Sequence, residues 1–174
     1  MLLTCYHGTS LENWEKIKNT GEFHPSANGW FGTGVYWYLD SYEMAVFWAK
    51  KKFNYRKRII LQYRLDVDEE HILDLRDPYG DDCRLFHNRR NMMLKLMETL
   101  TFYSPDTGRK IDNTVLNILS RRFVKKAVIA NSFTYDNNKG KRIQSISRIP
   151  NGTEICIYQS DLIAISEVKV LWII

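Results

Sequence analysis

Hydrophobic and polar positions follow two periods along this chain. Residues 2–7 form a short apolar run, as a buried strand does. Leu11, Trp14 and Ile17 then fall at helical spacing, with Ser10 placed to cap the helix and Gly21 to stop it after Thr20. Residues 22–33, rich in Gly, Pro, Ser and Asn, predict a loop. Residues 35–38 predict a strand, and residues 41–52 a helix with Met44, Ala45 and Trp48 on one side. Residues 58–67 alternate apolar and polar like a half-buried strand, and 71–75 predict another short one. Residues 83–101 and 111–122 have helical character. A strand at 127–133, a polar basic loop at 134–150, and strands at 153–158 and 167–173 complete the chain. Strands at both ends with helices between them give an α+β pattern, not regular βαβ alternation. No repeat or low-complexity linker interrupts it, so residues 1–174 are expected to form a single domain.

Composition narrows the class. A 44% hydrophobic fraction is enough for one core, and 26% charged residues without low complexity argue against disorder. Residues 1–10 have neither a basic leader nor a long apolar run, and no segment is long enough to span a bilayer, so a cytoplasmic location without membrane attachment is expected. Cys5, Cys83 and Cys156 are an odd number at unrelated spacings, which fits buried free thiols. Asn151-Gly152-Thr153 matches a glycosylation sequon and is expected to be a turn. The net charge of +5 hides a strong asymmetry. Residues 66–82 hold eight acids and one base, leaving 24 bases against 12 acids elsewhere. Such a surplus suits an anionic partner.

Several chemistries are set aside by motif. Gly32-Thr33-Gly34 is half a dinucleotide fingerprint, with Trp37 where the third glycine belongs, and it leads into a strand. There is no P-loop and no Gly-x-Ser-x-Gly elbow, and the His and Cys residues lack zinc spacing, so no metal is expected. Three segments remain: Cys5-Tyr6-His7-Gly8-Thr9-Ser10; Phe31-Gly32-Thr33-Gly34-Val35-Tyr36-Trp37, followed by Ala45-Val46-Phe47; and residues 151–158, NGTEICIY. In this order they resemble the His-Tyr-Glu signature of the diphtheria-toxin and poly(ADP-ribose)-polymerase branch of ADP-ribosyltransferases. The resemblance runs end to end, except over the divergent helical middle at 83–122. It implies a split β-sheet core with flanking helices and a helical insertion around 83–122, and NAD⁺ as co-substrate.

The resemblance also implies roles. Glu154 would hydrogen-bond a ribose hydroxyl and offset the positive charge that develops when the nicotinamide–ribose bond breaks, as in glycoside hydrolysis. His7 would bind ribose hydroxyls, and the backbone of Gly8, beside Thr9, would hold the nicotinamide carboxamide. Tyr36 would stack on the nicotinamide ring and Phe47 would close its other face. Two departures stand out. Met44 occupies a position where the polymerases often carry a small hydroxyl residue. Gly152 lies two before Glu154, where arginine-modifying toxins carry an acid. Gly152 disfavours arginine as the acceptor, and with no sequence sign of polymer elongation a single transfer is expected.

The bases favour a nucleic-acid acceptor, RNA before protein, met by Lys139, Lys141, Arg142 and Arg148, with Phe133 and Tyr135 beside them as stacking surfaces. A compact transferase of this kind is similar to toxins of toxin–antitoxin and phage-defence systems, which would add an antitoxin as partner. Three alternatives remain: a protein acceptor, an NAD⁺-dependent RNA 2′-phosphotransferase, and a non-catalytic binding module on the same fold. The phosphotransferase is disfavoured because residues 21–31 contain no Arg.

Overall fold

In the computed structural model of the chain, residues 1–52, 57–97, 105–133 and 150–173 are described. Seven strands form one mixed sheet: β1 (Leu2–Ser10), β2 (Val35–Leu39), β3 (Arg58–Asp66), β4 (Ile72–Asp74), β5 (Ala127–Ser132), β6 (Gly152–Ile157) and β7 (Lys169–Ile173). Their order across the sheet is β4-β5-β6-β2-β1-β3-β7. Only β4 and β5 run parallel. Parallel neighbours need a long crossover. Helices α3 (Asp81–Met97) and α4 (Pro105–Arg122) lie within that connection, so the divergent helical middle is the crossover between β4 and β5.

Strand alternation sorts the core onto two faces. Trp37, Ile129, Ile155, Ile157, Leu61 and Cys5 point to one face, where α1 (Leu11–Thr20) adds Trp14 and Ile17 and the following loop adds Phe23. The opposite face divides into two clusters. Over β5 and β6, Val128 and Cys156 pack with Ile111, Val115, Leu116 and Leu119 of α4. Over β1, β2 and β3, Tyr38 and Ile60 pack with Ala45 of α2 (Tyr42–Phe47) and Ala49 just beyond it. All three cysteines are buried free thiols.

The local signals explain most boundaries. Ser10 Oγ accepts from the Asn13 amide at 3.1 Å and Gly21 closes α1 at φ 75°, a left-handed conformation that suits glycine. The first strand runs three residues past its expected end at His7, because β3 pairs with it through Ser10. The expected helix over 41–52 is α-helical to Phe47 and then continues as a π-helical turn, Trp48–Lys52. Helix α4 begins six residues before the expected 111. Pro105 at its first position forfeits no intrahelical bond, and Gly108 is tolerated within it. Residues 151–153 are not a turn. Asn151 donates its amide to Ser132 O at 3.1 Å, and Gly152 and Thr153 already belong to β6. No helix among the described residues is long and apolar enough to cross a membrane.

Candidate active site

The candidate site lies where β1 and β2 part. Their ladder comprises two pairs, Cys5 with Leu39 and Tyr6 with Tyr38. Beyond Tyr6, β1 continues along β3 through four more paired positions, His7 to Ser10, while β2 follows β6. Among the described residues, positions 7–10 and 35–37 therefore face each other without a ladder. The His7 side chain bridges the mouth of this opening, with Nδ1 2.7 Å from Tyr36 O. A carbonyl only accepts, so Nδ1 carries the proton and neutral His7 keeps Nε2 as an acceptor. Burial pushes the His7 pKa below its ordinary value, and the bond to Tyr36 O opposes this in part. The ring is half-buried and packs against Trp37 and Phe23, at centroid distances of 5.2 and 5.9 Å.

Glu154 is positioned by register. It pairs with Ala130 on one side and Tyr38 on the other. Paired residues share a face, so Glu154 stands among Ala130, Tyr38, Gly152 and Cys156. At Gly152 a side chain would meet Ser132 Oγ and Met44 at 3.2 and 3.4 Å, which brings α2 down onto this row. No cation belongs to the set. Desolvation pushes the Glu154 carboxyl from 4.5 up to about 7. The buried Ser132 hydroxyl favours the charged form, though it makes no hydrogen bond of normal geometry. The hydroxyl-bearing position expected to bind a carboxamide is thus filled by Met44, whose contribution here is an apolar wall.

Tyr36 shares the Glu154 face, paired with Cys156 two positions further along β6. Its hydroxyl is fully engaged by the preceding loop, donating to Gly32 O at 2.7 Å and accepting from the Phe31 amide at 2.9 Å. Its ring stacks with Phe31 at 6.3 Å and 29° and packs into the α4 cluster. Strand alternation therefore directs His7 to one face and Tyr36 and Glu154 to the other. The three are joined by neighbouring strands and by the His7–Tyr36 bond, not by one common surface.

Gly8 has a packing reason of its own. A Cβ there would stand 2.2 Å from Ala45 O, so α2 can lie on β1 only over glycine. Thr9 is buried and pairs with Ile59. Phe47 is half-buried at the end of α2. Phe133 is 45% exposed just after β5. Tyr135, Lys139, Lys141, Arg142 and Arg148 lie outside the described residues.

Sequence reasoning missed the polar face of α4. Arg109, Asn113 and Asn117, four apart, all reach the 27–33 loop. Their i, i+4, i+8 spacing was the available signal. A cavity of about 250 Å³ also lies here, between Asn28, Gly29 and α4. On the acidic segment, ligand atoms of Asp68, Glu70 and His71 fall within 4.8 Å of one another, an arrangement common on exposed acidic surfaces. No protein-family model matches the sequence, and a search of the curated proteins finds no match.

Proposed function

We propose that this protein cleaves the nicotinamide–ribose bond of NAD⁺ and transfers the ADP-ribose once to a macromolecular acceptor. The observation that carries this reading is Glu154. A carboxyl is held in a row of uncharged side chains, beside an unpaired opening between two strands whose mouth is bridged by a histidine. Such a carboxylate, poorly solvated and with no cation partner among the described residues, interacts strongly with positive charge appearing next to it. In the reaction the glycosidic pair leaves on the nicotinamide nitrogen. The oxocarbenium-like ribose is stabilised by ionised Glu154 and captured by an acceptor nucleophile, whose proton passes to a base. Backbone left without a ladder between β1 and β2 suits a planar carboxamide, and neutral His7 suits a ribose hydroxyl. The acceptor is read as nucleic acid, RNA in particular, from the 24 bases and 12 acids outside residues 66–82.

One observation favours a second reading. The Tyr36 hydroxyl and one face of its ring are taken up by the chain's own loop, as a binding module without transfer would tolerate. Nicotinamide release from labelled NAD⁺ separates the two. The transferase releases it, and Glu154→Gln lowers the rate by roughly 10²-fold while NAD⁺ affinity is nearly kept. Unchanged turnover in that variant removes Glu154 from the mechanism. Label on lysate components, split between nuclease and protease digestion, identifies the acceptor class.

A further inference from the structure

We infer that α4 clamps the 27–33 loop shut over Tyr36, and that release of this clamp opens the nicotinamide end of the proposed site. The inference rests on the transferase reading, in which the Tyr36 ring receives nicotinamide.

The loop is tied at its base by a bridge between Ser26 and Gly34, with Ser26 N donating to Gly34 O at 2.8 Å. Between these ends Phe31 packs in the α4 cluster, and the other attachments to α4 are polar. Arg109 donates to Asn28 O at 2.6 Å, and Asn113 Nδ2 donates to Gly29 O at 2.9 Å. Asn117 holds Thr33 twice, accepting from its amide at 2.8 Å and donating to its Oγ1 at 3.1 Å. Asn117 also donates to Asn113 Oδ1 at 2.9 Å, which fixes the two amides relative to each other. Tyr158 Oη adds a bond to Phe31 O at 2.9 Å. Most of these contacts are to loop backbone, so they hold the loop's path and not its side chains.

What the clamp holds in place is a cover. Gly29 lies so close to Tyr36 that a Cβ would stand 1.9 Å from its hydroxyl oxygen, and Phe31 stacks on the ring. A flat ligand stacking where Phe31 now lies must displace the loop. The means of holding it suits displacement. Asn28 and Gly29 border a cavity of about 250 Å³ against α4, so at that end of the loop the hydrogen bonds exchange for water with little apolar surface lost, and Phe31 is the apolar contact that opening gives up. Trp30 is 54% exposed at the loop's tip. A ligand that binds only the open form has its affinity reduced by the fraction of molecules that are open.

The test uses the full chain and two independent ways of opening the loop. Asn113→Ala with Asn117→Ala removes the clamp. Gly29→Ala leaves α4 intact but places a methyl group where the closed loop has no room. Thr33→Val, at an exposed position, is the mild version should the double variant fold poorly. Amide exchange by NMR at Phe31 and Thr33 reads the loop, and NAD⁺ titration with nicotinamide release reads the site. Exchange at both amides is expected to rise roughly ten-fold or more, and the NAD⁺ concentration for half-maximal rate to fall several-fold. Faster exchange with unchanged or weaker use of NAD⁺ overturns the inference, since the clamp then builds the site. Unchanged exchange in all variants also overturns it. If wild type releases nicotinamide and the opened variants are no better, the transferase reading stands and the clamp falls. If no form binds NAD⁺ or releases nicotinamide, the transferase reading fails and the gate fails with it.

Discussion

Glu154→Gln is expected to make this protein more stable, and only above a defined pH. The carboxyl sits among Ala130, Tyr38, Gly152 and Cys156 with Met44 above the row, and burial raises its pKa from 4.5 to about 7. In the unfolded chain it ionises near its ordinary value. Between these two values the folded state binds the extra proton, so the contribution to stability declines as pH rises through that window. Below about pH 4.5 the group is neutral in both states and costs nothing. Above about pH 7 it is charged in both, and the interval corresponds to roughly 3 kcal/mol of destabilisation. The amide keeps the shape and never ionises, so it escapes this cost. Urea denaturation of wild type and variant at pH 5 and pH 8 is the assay, since all other titrating groups cancel in the difference. The variant should gain up to about 3 kcal/mol at pH 8 and little at pH 5. A variant equally stable or less stable at pH 8, or a gap that does not change with pH, would refute the argument that a half-buried carboxylate without a cation partner among the described residues is poorly solvated here.

Other outcomes follow from the same geometry. Nicotinamide release should fall roughly 10²-fold in the Glu154→Gln variant, as measured with labelled NAD⁺, so that one substitution raises stability and lowers activity. Opening the 27–33 loop through Asn113 and Asn117, or through Gly29→Ala, should speed amide exchange at Thr33 and lower the NAD⁺ requirement. Gly8→Ala should destabilise the fold by about 1–3 kcal/mol in urea, because the added methyl meets the Ala45 carbonyl at 2.2 Å and backbone must shift. Replacing Lys139, Lys141 and Arg142 by Ala should lower transfer to RNA while sparing NAD⁺ hydrolysis, and wild-type transfer to RNA should weaken steeply with salt.

The α+β class and most element positions were legible because burial imposes its period on sequence. The stripe Leu11, Trp14, Ile17 and the cap at Ser10 located α1 to the residue. Alternation over 58–67 located β3 within one residue. Two kinds of information were not local. The start of α4 was hidden by Pro105 and Gly108, residues that break helices in the interior but are tolerated at a first position or under tertiary packing. The parallel pairing of β4 with β5 was hidden as well, since it depends on how the crossover returns, and no short window of sequence records that.

The site divides along the same line. Residue types named the candidates, but strand register decides which of them meet. Pairing of Tyr6 with Tyr38 and of Tyr38 with Glu154 makes one row across β1, β2 and β6, and it carries two tyrosines and the carboxyl. His7 lies one position from that row along β1, an odd step, and Tyr36 two positions from it along β2, an even one. Their side chains consequently leave the sheet on opposite faces, and contact between them runs from an imidazole to a main-chain carbonyl. On the proposed transferase reading, a dinucleotide that contacts both groups has to enter the gap between β1 and β2 rather than lie on either face. On that reading the proposed clamp acts at one end of the ligand. The loop held by Asn113 and Asn117 covers Tyr36 on the face that also bears Glu154, and His7 packs on the other face, beside Phe23 and Trp37. Closing the loop can thus block one end of such a ligand while leaving the other end of its path unchanged.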